Sequence, residues 1–133
     1  MTSTAPAKSP APNSHGRVSE PMYHPTTPEI AARRKELAPE IHNAFEAFGR
    51  AVFAEGALPE KTKQLIAVAV AHTTQCPYCI QGHTRLAARK GASPQEIMEA
   101  IWVAAEMRAG AAYAHSTLAL NALAHQHAAS AKE

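Results

Sequence analysis

Glu60-Lys61-Thr62-Lys63-Gln64-Leu65-Ile66-Ala67-Val68-Ala69-Val70-Ala71-His72, followed by Cys76-Pro77-Tyr78-Cys79-Ile80-Gln81-Gly82-His83, is the stretch that decides the fold. A helix begins after Pro59 and runs through a polar first turn into Leu65–Ala71, which is apolar on every side. A helix apolar all round is expected to be buried all round. A unit of about 105 residues buries only around two-thirds of its unfolded-chain surface, so full enclosure of this helix points to subunit association. Pro77 ends the pattern, because proline lacks an amide donor and restricts the residue before it. It also suits the first turn of a following helix that carries Cys79, His83, Leu86 and Ala87 and stops at Gly91.

Outward from this hairpin the helical pattern continues. On the N-terminal side Ile41, Ala44, Phe45, Phe48 and Val52 recur at spacings of three and four, one face of an amphipathic helix. Pro39 fits its first turn and Gly56 is placed to stop it. On the C-terminal side Ser93-Pro94-Gln95-Glu96 has the form of a capping box. The helix it opens carries Ile97, Ile101, Ala104 and Arg108 on one stripe, with Met98 and Trp102 beside it as packing residues. Gly110 is expected to interrupt or kink the chain. A last Ala- and Leu-rich helix is expected over 111–124, with a fraying tail after it that includes His125 and His127. No strand alternation extends beyond a few residues, so the fold class is all-α. Six of the ten prolines fall within the first 28 residues, which lack the large apolar residues needed to offset ordering entropy. The chain therefore divides into a flexible or extended Pro-rich arm, 1–28, and a helical domain, 29–133.

Composition narrows the function. The chain has 133 residues, room for one domain. Apolar residues make up 46% and aromatic residues only 5%, so the core is built from Ala, Val, Ile and Leu. A formal charge of +2 with no long basic run argues against nucleic acid or an anionic membrane surface as partner; Arg33-Arg34-Lys35 reads as a solvated helix face. No apolar run approaches the roughly 20 residues of a membrane span, and no signal-peptide pattern opens the chain. The two cysteines stand three residues apart, unlike a secreted disulfide scaffold. A soluble protein of the cytoplasm, a reducing compartment, is the expectation.

The chemistry is expected at Cys76-Pro77-Tyr78-Cys79 and His83. On a helix, residues four apart lie one above the other, so the imidazole of His83 falls within reach of Cys79. The first of the pair sits at a helix start, where unpaired amides and the dipole favour an anion. Thiolate is the reactive form, and both the helix N-terminus and the CxxC spacing promote it. The same spacing lets the two sulfurs close into a disulfide and reopen. The competing readings are an inert buried pair and a zinc site made of Cys76, Cys79, His83 and His72. Structural zinc sites usually pair a CxxC half with ligands a dozen or more residues away, whereas here all candidates crowd around one helix break. A thioredoxin fold would need βαβ units. No metal or cofactor is therefore expected. His72 and His115 read first as core or interface histidines; for Arg108 the two readings are a carboxylate-binding group and, favoured, a group that closes a helix end.

Leu65–His72, Cys76–His83, Gly91 and the Met107-Arg108-Ala109-Gly110-Ala111-Ala112-Tyr113-Ala114-His115 run resemble the alkylhydroperoxidase D-like branch of the carboxymuconolactone decarboxylase family. The resemblance implies an all-helical fold that assembles as a homo-trimer or homo-hexamer. It implies an antioxidant peroxidase in which Cys79 attacks the hydroperoxide, Cys76 resolves the product and His83 belongs to a proton relay. An external dithiol or thioredoxin-like reductant then resets the enzyme. Decarboxylase members lack the cysteine pair, which turns the expectation away from decarboxylation. The relay glutamate of the family stands twelve residues before the first cysteine, and that position is Gln64 here. A carboxamide holds a hydrogen bond but does not shuttle a proton as a carboxylate does. Glu60, His72, Glu106 and His115 are the candidates to stand in for it. Two alternatives are a non-catalytic redox sensor or adaptor on the same fold and a metal-binding module.

Overall fold

The elements that turn and cap the chain are local and strong, and they divide it into helices. The computed structural model describes residues 22–130. Among them are six helices, α1 Pro28–Leu37, α2 Pro39–Phe53, α3 Glu60–Thr74, α4 Pro77–Arg89, α5 Pro94–Ala114 and α6 Ser116–Ser130, and no strand. The all-α expectation holds. Four of the helices carry proline in the first turn, where its missing amide costs nothing and its fixed φ is already helical. Ala38, at φ −152°, separates α1 from α2. Among the described residues no helix is long and apolar enough to cross a membrane.

Helix α3 is the hub, packing most extensively on α4 and α5. Val68, Ala87 and Ala92 form the buried centre, with Leu65, Ile97 and Ile101 packed around them. Two of these three are alanines, and small side chains at the crossing let the helices approach closely. The α3–α4 turn is tight. Gln75 adopts the left-handed conformation (φ 56°), and the Cys76 amide donates back to the Ala71 carbonyl at 3.1 Å, a Schellman-type closure. The α4 end repeats the device with glycine: Gly91 has φ 86°, and the Ala92 amide donates to the Ala87 carbonyl at 2.9 Å. The predicted capping box is complete, with Ser93 Oγ accepting from the Glu96 amide (3.1 Å) and Glu96 Oε2 from the Ser93 amide (2.8 Å).

Several expectations need correction. Gly110 does not interrupt the chain, since α5 runs through it to Ala114. The break falls at His115, so the last helix starts at Ser116 and continues to Ser130 rather than fraying after residue 124. Helix α2 ends at Phe53, three residues short of Gly56. The Leu65–Ala71 stretch, expected to need a neighbouring subunit for full enclosure, is left partly open by the described residues: Val68 and Ala71 are buried, but Ile66 and Val70 remain 49% and 53% exposed. The apolar face of α2 is likewise open, Phe45 at 73% and Phe48 at 65%, and Trp102, expected to pack, is 68% exposed. Of the expected arm, residues 1–21 lie outside the described residues. Its end meets the core at the CxxC motif, where Tyr78 Oη donates to the His24 carbonyl at 2.8 Å and Tyr23 stands edge-on to the Tyr78 ring.

Candidate active site

The turn between α3 and α4 places the cysteines. Pro77 holds Cys76 in an extended conformation (φ −96°, ψ 100°) at the N-cap of α4, and Cys79 falls in the first turn. Cys76 and Cys79 are joined as a disulfide. The capping group is itself a sulfur: Cys76 Sγ accepts from the Cys79 amide at 3.3 Å. A thiolate released at this point would meet the unpaired amides and positive end of α4, the environment that promotes thiolate over thiol.

One turn further along α4 stands His83. Its Nδ1–H donates to Gln64 Oε1 at 2.8 Å. A carboxamide oxygen only accepts, so the bond fixes the proton on Nδ1 and leaves Nε2 as the acceptor nitrogen of the neutral ring. Gln64 is the buried polar side chain of the core, 5% exposed. The Phe53 ring stacks on the imidazole face, centroids 5.2 Å apart and planes at 29°. Ring orientation is thus set from α2 and α3 together.

Of the relay candidates, Gln64 alone meets His83. Glu60 points elsewhere and pairs with Lys90. His72 turns its Nδ1–H back to the Val68 carbonyl at 2.8 Å. Glu106 and His115 are exposed, the latter at the C-cap of α5. The four groups weighed as zinc ligands do not converge, and among the described residues no cluster of three or more His, Cys, Asp or Glu could hold a metal. Arg108 closes a helix end, as expected, but that of α3: its Nη1 donates to the Thr73 carbonyl at 3.0 Å.

Cys79 and His83 share the wall of a cavity of about 430 Å³. Val52 and Phe53 of α2 and Lys63, Ile66, Ala67, Val70, Ala71 and Thr74 of α3 form the rest of its lining. The size is that of a small-molecule site. Phe53 and Lys63 were not singled out from sequence. Their contribution depends on how the 54–59 connection folds α2 back onto α3, and no local pattern encodes that.

The carboxymuconolactone decarboxylase family model matches residues 39–122, spanning the site and its supporting helices. An uncharacterized protein of the cox locus of Paracoccus denitrificans is 66% identical over 83 residues, 62% of this chain and 75% of its own length. An uncharacterized protein of Haemophilus influenzae is 42% identical over 90 residues, 68% of this chain and 80% of its own. Among solved structures, a protein from Methanobacterium thermoautotrophicum superposes with a TM-score of 0.63 at 37% identity, covering 68% of this chain and 98% of that one. An apo carboxymuconolactone decarboxylase family protein from Legionella pneumophila superposes at 0.57 and 34% identity, covering 59% of this chain and 70% of that one.

Proposed function

The chain belongs to the carboxymuconolactone decarboxylase family, and we propose that within it this chain works as a thiol-dependent peroxidase or disulfide reductase of the alkylhydroperoxidase D-like kind. One observation carries the reading: a closed CxxC disulfide at the first turn of α4, with Cys79 and His83 on the wall of one cavity. In the reduced protein His83 Nε2 takes the Cys79 proton. The thiolate attacks the distal oxygen of the hydroperoxide, the O–O bond breaks, and the alkoxide leaves with a proton from the imidazolium. Cys79 is then a sulfenic acid. The Cys76 thiol displaces its hydroxyl as water and closes the disulfide. An external dithiol or thioredoxin-like protein, in our reading of the cytoplasm, reopens it by two exchange steps. The sum is hydroperoxide plus dithiol giving alcohol, water and disulfide.

A homo-oligomer, trimer or hexamer, is the proposed working unit. Its support is the open apolar face of α2 together with exposed Trp102, Val103 and Met107 on α5, since large exposed apolar surfaces mark interaction sites. Gln64 favours a second reading, a redox sensor or adaptor in which the disulfide forms without efficient turnover. Steady-state consumption of cumene hydroperoxide by the reduced protein with a dithiol donor tests the choice. Turnover that is abolished by Cys79→Ser is the expected result, and stoichiometric oxidation without turnover would favour the sensor.

A further inference from the structure

The cavity beside Cys79 has two kinds of wall. Phe53, Ile66, Val70 and their neighbours make most of it apolar, and Lys63 is the lysine of its lining, with its ammonium at the rim where α2 ends. That ammonium is held in place. Lys63 Nζ donates to the Val52 carbonyl at 2.8 Å and to the Ala54 carbonyl at 2.7 Å, closing the C-terminal end of α2. Two of its three N–H groups are thereby used, and among the described residues no carboxylate lies within ion-pair distance of it. A fixed, unpaired cation on an apolar wall is matched by a ligand with an anionic head and an apolar body.

The position along the cavity also matters. Lys63 precedes Gln64, the residue that meets His83, so it stands at the His83 end. Cys79 lies one turn of α4 away, about 6 Å along the helix. An anionic head at Lys63 therefore leaves the body of the ligand to run past His83 to the sulfur.

We propose that this cavity takes the hydroperoxide of an amphiphilic organic acid, with its carboxylate on Lys63 and its apolar chain against Phe53, Ile66 and Val70. The peroxidase chemistry of this statement rests on the function proposed above; the carboxylate site does not. On turnover the O–O bond breaks, the hydroxyl oxygen passes to Cys79 Sγ, and the corresponding hydroxy acid leaves while the external dithiol restores the thiols.

Binding and turnover separate the two claims. Calorimetric titration of the disulfide form with decanoate and with 1-decanol is expected to show decanoate binding roughly tenfold tighter or more. Lys63→Met should bring the two affinities together, Lys63→Arg should keep the preference by keeping the charge, and Ile66→Trp, which fills the cavity, should lose both ligands. Circular dichroism of each variant establishes that it is folded. Equal affinity for acid and alcohol in the wild type, or a preference that survives in folded Lys63→Met, would overturn the carboxylate site. Steady-state assays then compare an acid hydroperoxide with its methyl ester. A higher kcat/KM for the acid supports the substrate class. Equal rates for acid and ester would overturn that class while leaving the peroxidase intact. Decanoate binding without consumption of any hydroperoxide would instead refute the peroxidase reading and with it the substrate claim.

Discussion

Gln64 places a carboxamide on His83 where the resemblance to the alkylhydroperoxidase D-like branch implies a carboxylate, and under the proposed function this exchange decides how the site handles its proton. An amide oxygen orients the imidazole through Nδ1 but neither stabilises a full imidazolium charge nor takes its proton. Positioned acid–base groups typically contribute about 10²–10⁴-fold. Gln64→Glu is accordingly expected to raise kcat/KM for an organic hydroperoxide by about tenfold or more, read by steady-state consumption; an unchanged rate would show that the relay does not limit turnover. Much of the residue scale was legible in the sequence. The cysteine spacing, the four-residue step to His83 and the departure at Gln64 are all short-range facts. Phe53 was not legible, because it reaches the site across the 54–59 connection, and the role of Lys63 depends on the same connection, which brings the Val52 and Ala54 carbonyls to its ammonium. The rejection of Glu60 as a relay group was hidden in the same way, since only the folded chain brings Lys90 to it.

At the scale of elements, local chemistry decides the boundaries where it is strong and misleads where it is weak. The capping box at Ser93–Glu96 fixes the start of α5 through two reciprocal bonds, and the Lys61 ammonium contacts Glu96 Oε1 at 2.8 Å. Lys61 first, then the Ser93 amide, hold the Glu96 carboxyl below its ordinary value of 4.5. A depressed carboxyl stabilises the fold above the unfolded value and loses that contribution as pH falls through the folded one. The difference in melting temperature between wild type and Glu96→Gln should therefore be present at neutral pH and vanish well below pH 4.5. A difference that persists in acid would place the stabilisation elsewhere. Gly110 shows the weak case. A glycine inside a helix costs about 1 kcal/mol relative to alanine, too little to end α5 when Ile97, Ile101 and Ala104 of the same helix pack at the core. The true end, at His115, has no glycine or proline to announce it.

For the whole molecule, the hydrophobic pattern is correct, but the described residues leave part of it uncovered. Helix α2 forms over the residues that its periodicity selects, yet it turns Phe45 and Phe48 outward. Periodicity identifies an apolar face and is silent about whose surface covers it. If association covers it, Phe45→Glu with Phe48→Glu should convert the oligomer to monomer by light scattering, with helical content retained; an oligomer that survives would place the interface on α5 and α6. The redox assignment of the molecule as a whole rests on which sulfur is oxidised first. The most direct measurement is mass spectrometry of reduced Cys76→Ser and Cys79→Ser after one equivalent of hydroperoxide in the presence of a sulfenic-acid trap. The account predicts a trapped sulfenic acid on Cys79 in the first variant and none in the second. Trapping on Cys76 in the second variant, with none on Cys79, would contradict it.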